Sequence, residues 1–587
     1  PIHISDAKII ICWFKSHILN TKHLMKIKYL FYIGVATLAL SGCNDGFLER
    51  APEAINDKTF WNTTGDLETY ANQFYSYLPG GVTSIADGES DNQVPNSIPQ
   101  FFWNQLSTPA EAASWCNWSK GGWQPIRLVN YFLTHYQTVS GKESEINQYV
   151  AEVRFFKAMQ YAGLMRTFGD IPWLDKDLGT GDTDILYGPK LKRYEVMDKI
   201  IEEFDFAIQW LPEKPATGRI GKDVARQLKA RTCLHEGTYY KYHTELGWAD
   251  KADRLLKMAA DETDAIMATG KYEIYNTGHP EKDYYDVFVM EDKTNLKEAI
   301  LPVTYLDGKR KHGMSRTLAE ANTGFSKDFV ESYLCLNGKP ITGNDQYKGD
   351  TNMKDETTDR DPRLKQTILT WDFPTRVTVA TNDSTYIEKE EDFISQYCLT
   401  GYKSIKYFIP TDKAFEANNN TYDGIAYRYA ETLLINAEAK AELGTITQAD
   451  LNKTINVLRD RAGMPHLTLE VGFTDPNWPA WGYSLTPLLQ EIRRERRIEL
   501  AGEGFRWDDL ARWKAGAICN NVKTYIGKRE PYKEGQYAIV YPAYTNDNYS
   551  YEAGKSRTWN DRLYLRPIPT GELQRNDNLL PQNPGWE

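Results

Sequence analysis

Long apolar runs are missing from this 587-residue chain, and so are the cysteine, histidine and basic patterns that mark more easily read classes. No stretch approaches the roughly 20 apolar residues that a spanning helix needs. The net charge of −11 argues against nucleic acid, which demands a basic surface. There is no Cys-x-x-Cys among the seven cysteines, and Cys116, Cys233, Cys335, Cys398 and Cys519 are odd in number and widely spaced. Neither a disulfide framework nor a zinc site fits that spacing. His235-Glu236 is followed by Tyr239, so the second ligand of a His-Glu-x-x-His zinc motif is absent. Gly502-x-Gly504 lacks the third glycine and the preceding strand of a dinucleotide site. Asp508 and Asp509 are adjacent, hence splayed on a helix and unable to act as a catalytic pair.

What is present begins at Met25. Met25-Lys-Ile-Lys leads into an apolar run from Tyr29 to Leu40 and then Leu40-Ser41-Gly42-Cys43. A positive start, a short apolar centre and small residues before a break make a secretory signal. Leu-Ser-Gly-Cys resembles a bacterial lipobox, which makes Cys43 the lipidated residue and the membrane anchor. Stable anchoring takes more than one acyl chain, and a lipoprotein's set meets that condition. Residues 1–24 are read as an upstream extension, 25–42 as the signal, 43–58 as a lipidated tether and 59–587 as the folded body.

A quarter of the chain is charged and 13% is aromatic, the profile of a soluble globular body with many rings to place. Ala151, Phe155, Ala158, Ala162 and Met165 form a helical stripe that Gly169 ends. Tyr194 to Leu211 repeats the pattern up to Pro212; Lys222 to Glu236 and Ala249 to Thr269 follow. After residue 425, Ala430 to Ala441 and Leu451 to Ala462 read as a helical hairpin, and Leu485 to Trp513 as the last strong helical run. The expectation is a mainly α fold of tetratricopeptide-like helical hairpins. Its scaffold is 59–80, 123–270 and 425–515, with irregular insertions at 82–122 and 271–424.

Glu491-Ile-Arg-Arg-Glu-Arg-Arg-Ile-Glu499, then Leu-Ala-Gly-Glu-Gly-Phe-Arg-Trp-Asp-Asp-Leu-Ala-Arg-Trp513, is the most distinctive run after the lipobox. Glu491–Arg494 and Arg496–Glu499 are expected as i,i+3 ion pairs. Interleaved carboxylates cancel the field of the arginines, so the segment reads as a structural ion network. This run resembles the C-terminal signature of the SusD/RagB family of outer-membrane nutrient-binding lipoproteins of Bacteroidetes. Val153-Arg-Phe-Phe-Lys-Ala158, Phe168-Gly-Asp-Ile-Pro-Trp173, Arg428 to Ala441, Leu565-Arg-Pro-Ile-Pro569 and Gln582-Asn-Pro-Gly-Trp586 are similar to further family motifs, as is Cys43-Asn-Asp-Gly-Phe-Leu-Glu49. The resemblance implies four tetratricopeptide-like helix pairs supporting an irregular, ligand-binding region. It also implies an outer-membrane protein facing outwards that delivers captured oligosaccharide to a SusC-like TonB-dependent transporter.

Glycan capture needs aromatic faces against sugar rings and amide or carboxylate groups for vicinal hydroxyls. The insertion at 82–122 supplies Trp103, Trp115 and Trp118 for the first and Asp87, Asp91 and Asn92 for the second; Trp371 is the candidate in the other insertion. Trp123, at the mouth of a helix, is assigned to packing. No catalytic residue and no cofactor are expected; metal ligation is undetermined, with calcium in an acidic loop an open alternative. Two rival readings are a secreted all-helical glycoside hydrolase, which needs opposed carboxyl groups, and a helical-repeat scaffold for protein partners.

Overall fold

The computed structural model describes residues 60–95, 117–529, 537–539 and 557–587. The chain divides into Pro1–Asn62, of which 60–62 are described, and Thr63–Glu587, which holds every element that follows. Helix α1 (Thr64–Ala71) runs into a 3-10 turn, Asn72–Tyr77. Its start is fixed by Asp66, whose carboxylate accepts from both the Thr63 N–H and the Thr63 hydroxyl.

Five long helices then stack on their neighbours: α2 (Lys120–His135), α3 (Glu143–Phe168), α4 (Arg193–Trp210), α5 (Lys222–Tyr242) and α6 (Ala252–Ala268). The stripe Ala151, Phe155, Ala158, Ala162 and Met165 is buried along α3. Two boundaries differ from the sequence reading. Helix α2 begins before Pro125 because the Ser119 hydroxyl caps it, accepting from the Gly122 N–H at 3.3 Å; Pro125 is carried inside the helix. Helix α5 continues past Glu236 to Tyr242, since it is buried on nearly every side and has no single apolar stripe to mark its end. Its buried polar side chains are matched locally: Arg193 holds Glu236 through two 2.7 Å bonds, and His235 Nδ1 lies 2.9 Å from the same carboxylate.

The second insertion leaves the stack after α6 and returns at α7 (Tyr429–Glu442), which packs back on α6, so the helical layer is continuous across it. Four two-stranded ladders are present among the described residues: β1 (Gln93–Val94) with β3 (Gly324–Phe325), β2 (Ala299–Val303) with β6 (Gly424–Arg428), β4 (Arg376–Thr378) with β5 (Asp383–Thr385), and β7 (Ile526–Arg529) with β8 (Tyr537–Ile539). The β2–β6 pair closes the base of the insertion, Ala299 opposite Arg428 and Val303 opposite Gly424. The insertion is irregular in backbone and well packed in side chain. Tyr284, Phe288, Phe325, Phe329, Tyr333, Ile368, Tyr402 and Phe408 share one buried cluster.

The predicted last hairpin is split: α8 (Gln448–Lys453) and α9 (Ile455–Arg461) are separated by Thr454, at φ −123° and ψ −89°. Then come α10 (Pro487–Glu499), with Pro487 following the Thr486 cap, and α11 (Arg506–Arg512). Helix α10 is almost wholly buried, charges included. Arg494 lies 3.2 Å from Glu491, as the i,i+3 spacing predicts. Arg496 and Glu499 do not pair. Arg496 turns to Asp509 at 2.9 Å on α11, while Glu499 accepts from Arg461 and Arg428 and lies 3.2 Å from Arg363. Buried on the scaffold, each charge takes a partner from another element, and the network ties α10 to β6, α9, α11 and the insertion. Among the described residues no helix is long and apolar enough to cross a membrane.

Candidate functional site

The residues expected to meet a ligand fall into three groups. Trp103 and Trp115 lie outside the described residues, as does Cys43, the expected lipid anchor. Asp87, Asp91 and Asn92 are buried to 1% exposure or less, and their polar atoms are held inside the protein. The Asp87 carboxylate accepts from the N–H groups of Gly502 and Gly504 at 2.8 and 3.0 Å and from Asn92 Nδ2 at 2.9 Å. Asp91 takes Arg506 through two 2.7 Å bonds, and Arg497 Nε donates to Asn92 Oδ1 at 2.7 Å. These three residues seat the first insertion on the α10–α11 turn, which corrects their reading as ligand contacts. Gly502 shows how close that seating is. It sits at φ +75°, and a Cβ there would come within 2.5 Å of the Ser84 carbonyl oxygen.

The two carboxyls shift in opposite senses. Burial raises both; at Asp87 it prevails over the surrounding N–H donors and the pKa goes up. At Asp91 the charges of Arg497 and Arg506 outweigh burial and hold the carboxyl well below its ordinary value.

Of the remaining two, Trp118 is buried, edge-on to Phe168 at 4.9 Å and to Trp123 at 5.3 Å, so it packs with the residue assigned to packing. Trp371 is half-buried and meets Phe393 edge-on at 5.1 Å, against the insertion's core. The structure brings neither tryptophan to the other. Among the described residues no group of three or more His, Cys, Asp or Glu side chains is placed to hold a metal ion.

An open groove of about 370 Å³ does lie in the second insertion. That is within the size range of small-molecule sites, roughly 300–1,000 Å³. Leu369, Ile405 and Phe408 form an apolar floor, Phe415 and Tyr397 add two further rings, and Arg316, Glu320, Thr375, Arg376 and Lys403 give a polar rim. The local fold sets this arrangement. The 402–405 segment is held by bonds from Leu369 N to Lys403 O and from Ile405 N to Thr367 O, which fix the floor. The β4–β5 hairpin is fastened by the Val377 N–H on Pro410 O at 2.6 Å, placing Arg376 over the Phe415 ring at 5.4 Å. Lys403 donates to Ala319 O at 2.6 Å, and burial lowers its pKa.

Tyr397 is 43% exposed and Tyr386, just beyond β5, is 44% exposed; among the described Phe, Tyr and Trp rings only Tyr187 is more exposed. An exposed ring beside an apolar floor, with hydroxyl and cationic donors around it, can stack on the apolar face of a ring-shaped polar ligand and bond its edge. The sequence hint was present but weak: Tyr386, Tyr397 and Trp371 all stand in turn-rich stretches, and tryptophan drew the choice. Phe415 and Arg376 carried no signal.

Comparison with known proteins places the chain among close structural kin. The model of the SusD family matches residues 240–586. SusD-like protein P2 of Formosa agariphila is 25% identical over 599 residues, covering 95% of this chain and 100% of that protein. A SusD-like protein of Bacteroides ovatus is 23% identical, with 83% of each chain covered. Among solved structures, a SusD-like protein from Bacteroides fragilis superposes with a TM-score of 0.70 at 24% identity, covering 91% of this chain and all (100%) of that one. A SusD-like carbohydrate binding protein from the same species gives a TM-score of 0.65 at 25% identity, over 89% and 100%.

Proposed function

The chain belongs to the SusD family, and from that premise we propose that it binds carbohydrate in the groove of the second insertion. It captures the glycan without turning it over, at the outer membrane to which lipidated Cys43 holds it. It then passes the glycan to a SusC-like TonB-dependent transporter. The observation that carries the placement is the exposed Tyr397 ring beside the Leu369, Ile405 and Phe408 floor, with Arg376 and Thr375 at the rim. The carbohydrate binding named for a relative at 25% identity supports the ligand class.

The first test is a printed array of cello-, xylo-, manno-, malto- and galacto-oligosaccharides with oligogalacturonates and sulfated galactans, followed by calorimetric titration. Tyr397→Ala is expected to weaken binding about tenfold or more, since a stacking face contributes on the order of 1 kcal/mol beyond its area. Its melting temperature should hold, because the ring is 43% exposed. An unchanged affinity would move the site elsewhere. The same titration on Trp103→Ala and Trp115→Ala extends the test to the tryptophans expected from sequence. Shortened products from a labelled glycan would replace capture with hydrolysis.

The second test concerns the anchor. Cys43→Ala should move the protein from the membrane fraction to the soluble one, because the acyl chains supply the membrane affinity. A variant still extracted only by detergent would refute the lipobox reading.

A further inference from the structure

A second hollow, of about 270 Å³, lies along α10, away from the insertion groove and sharing no lining residue with it. One wall is the loop Asp475-Pro-Asn-Trp-Pro-Ala-Trp481; the other is the α10 face carrying Gln490 and Arg494, with Lys523 at the edge. We propose that this cleft is a separate binding site for a neutral sugar residue, stacked on Trp478. The inference rests on the carbohydrate reading above but on different residues.

Three observations carry it. Both indoles are locked by their own N–H groups: Trp478 Nε1 donates to Glu491 Oε1 at 2.8 Å and Trp481 Nε1 to Gln490 Oε1 at 2.6 Å. Pro476 and Pro479 restrict the loop backbone around them, so the rings are held in advance of any ligand. Trp478 stays only half-buried, leaving ring surface available to the cleft.

The third observation is the charge balance of the wall. Arg494 has a side chain 7% exposed; its Nη2 serves Asp475 and lies 3.2 Å from Glu491, and its Nη1 is enclosed by protein, out of reach of the cleft. The charges nearby decide what kind of ligand the wall admits. Arg494 already faces two carboxylates, Asp475 and Glu491. The other ionic groups of the lining are also matched, Arg497 with Asp328 at 2.8 Å and Lys523 with Glu331 at 2.6 Å. Arg506 is held by Asp91 at 2.7 Å and Arg493 by Glu442 at 3.0 Å. A further anion would meet carboxylates with no cation left to balance it, whereas a hydroxyl or ring oxygen adds no charge. The volume suits a single ring or a chain end.

The test uses a protein whose insertion groove is disabled by the exposed-residue pair Tyr397→Ala and Arg376→Ala. This variant is titrated with the neutral oligosaccharide that gives the strongest array signal and, in parallel, with an oligogalacturonate. Residual binding of the neutral glycan is expected, and adding Trp478→Ala should weaken it about tenfold or more. Asn477→Ala, at an exposed position that lines the cleft beside Trp478, provides a second variant should Trp478→Ala melt early; removing this amide from the wall should also weaken residual binding. If wild type binds but the groove-disabled protein does not, the second site is refuted and the groove reading stands. If Trp478→Ala and Asn477→Ala both bind as their parent does, the second site is likewise refuted. Residual binding confined to the oligogalacturonate overturns the neutral assignment. An array with no carbohydrate bound at all overturns both sites together.

Discussion

Replacing Glu499 by glutamine should lower the melting temperature by about 3–5 °C while leaving glycan affinity in the insertion groove unchanged. Glu499 is fully buried and is the point where Arg428, Arg461 and Arg363 converge, from β6, α9 and the insertion. Removing one partner of a buried ion pair costs about 3–5 kcal/mol, because the remaining charge is left without compensation in a medium of low dielectric. Here three guanidinium groups lose a shared anion while each keeps another carboxylate, Arg428 with Glu298 and Glu503, Arg461 with Glu298 and Arg363 with Asp361 and Glu495, which places the loss toward the lower end of that range. Asp261 is the control: its pair with Lys257 on α6 has side chains 59% and 68% exposed, and Asp261→Asn should shift the melt hardly at all.

A pH series separates charge from packing at Glu499. Burial pushes its pKa up, but Arg461, Arg428 and Arg363 outweigh burial and hold it below the ordinary 4.5. The folded state therefore binds this proton more weakly than the unfolded chain does. Its stabilisation is present above that ordinary value and is lost as the pH falls beneath it. Glu499→Gln should accordingly lose less stability than wild type on acidification from neutral pH to about pH 3. A glutamine variant that melts with wild type at neutral pH would show that the network around α10 contributes no net stability.

The helical half of the fold was legible because its signals are local. The stripe on α3 and the positive-φ glycine at 169 that ends it each act within a few residues. The buried length of α5 was not legible, since Gln227, Thr232, His235 and Glu236 face protein on all sides and erase the periodicity. The α10 arginines were read correctly as a network; of the two i,i+3 pairs expected, Glu491–Arg494 forms and Arg496–Glu499 does not, because sequence spacing shows neighbours on one helix and nothing of Arg461 or Arg428. The same limit governs the site. Whether an aromatic or a carboxylate in a turn-rich stretch faces solvent depends on distant segments: Asp91 meets Arg506, and Trp371 meets Phe393. Tyr386 and Tyr397, with less ring surface than Trp371, are left 44% and 43% exposed.

Asp91 is the residue on which the sequence and structural readings part most clearly, and Asp91→Asn decides between them. As a ligand contact it would tolerate the change in stability and lose affinity. As observed, it is fully buried, takes two 2.7 Å bonds from Arg506 and lies 3.1 Å from Arg497. Asparagine keeps the shape but removes the charge and turns one acceptor into a donor facing a guanidinium. The expected loss is again about 3–5 kcal/mol, seen as early melting, with undiminished glycan affinity in the protein that remains folded. Asp87, four positions earlier, should respond differently to acid. Its raised pKa means that protonation favours the folded state there, while at Asp91 protonation opposes it. Acidification should therefore weaken the wild-type seat through Asp91, and Asp91→Asn should remove that part of the pH dependence. Retained melting temperature with lost binding would return Asp91 to the ligand and leave the first insertion, not the second, as the place where glycan is held.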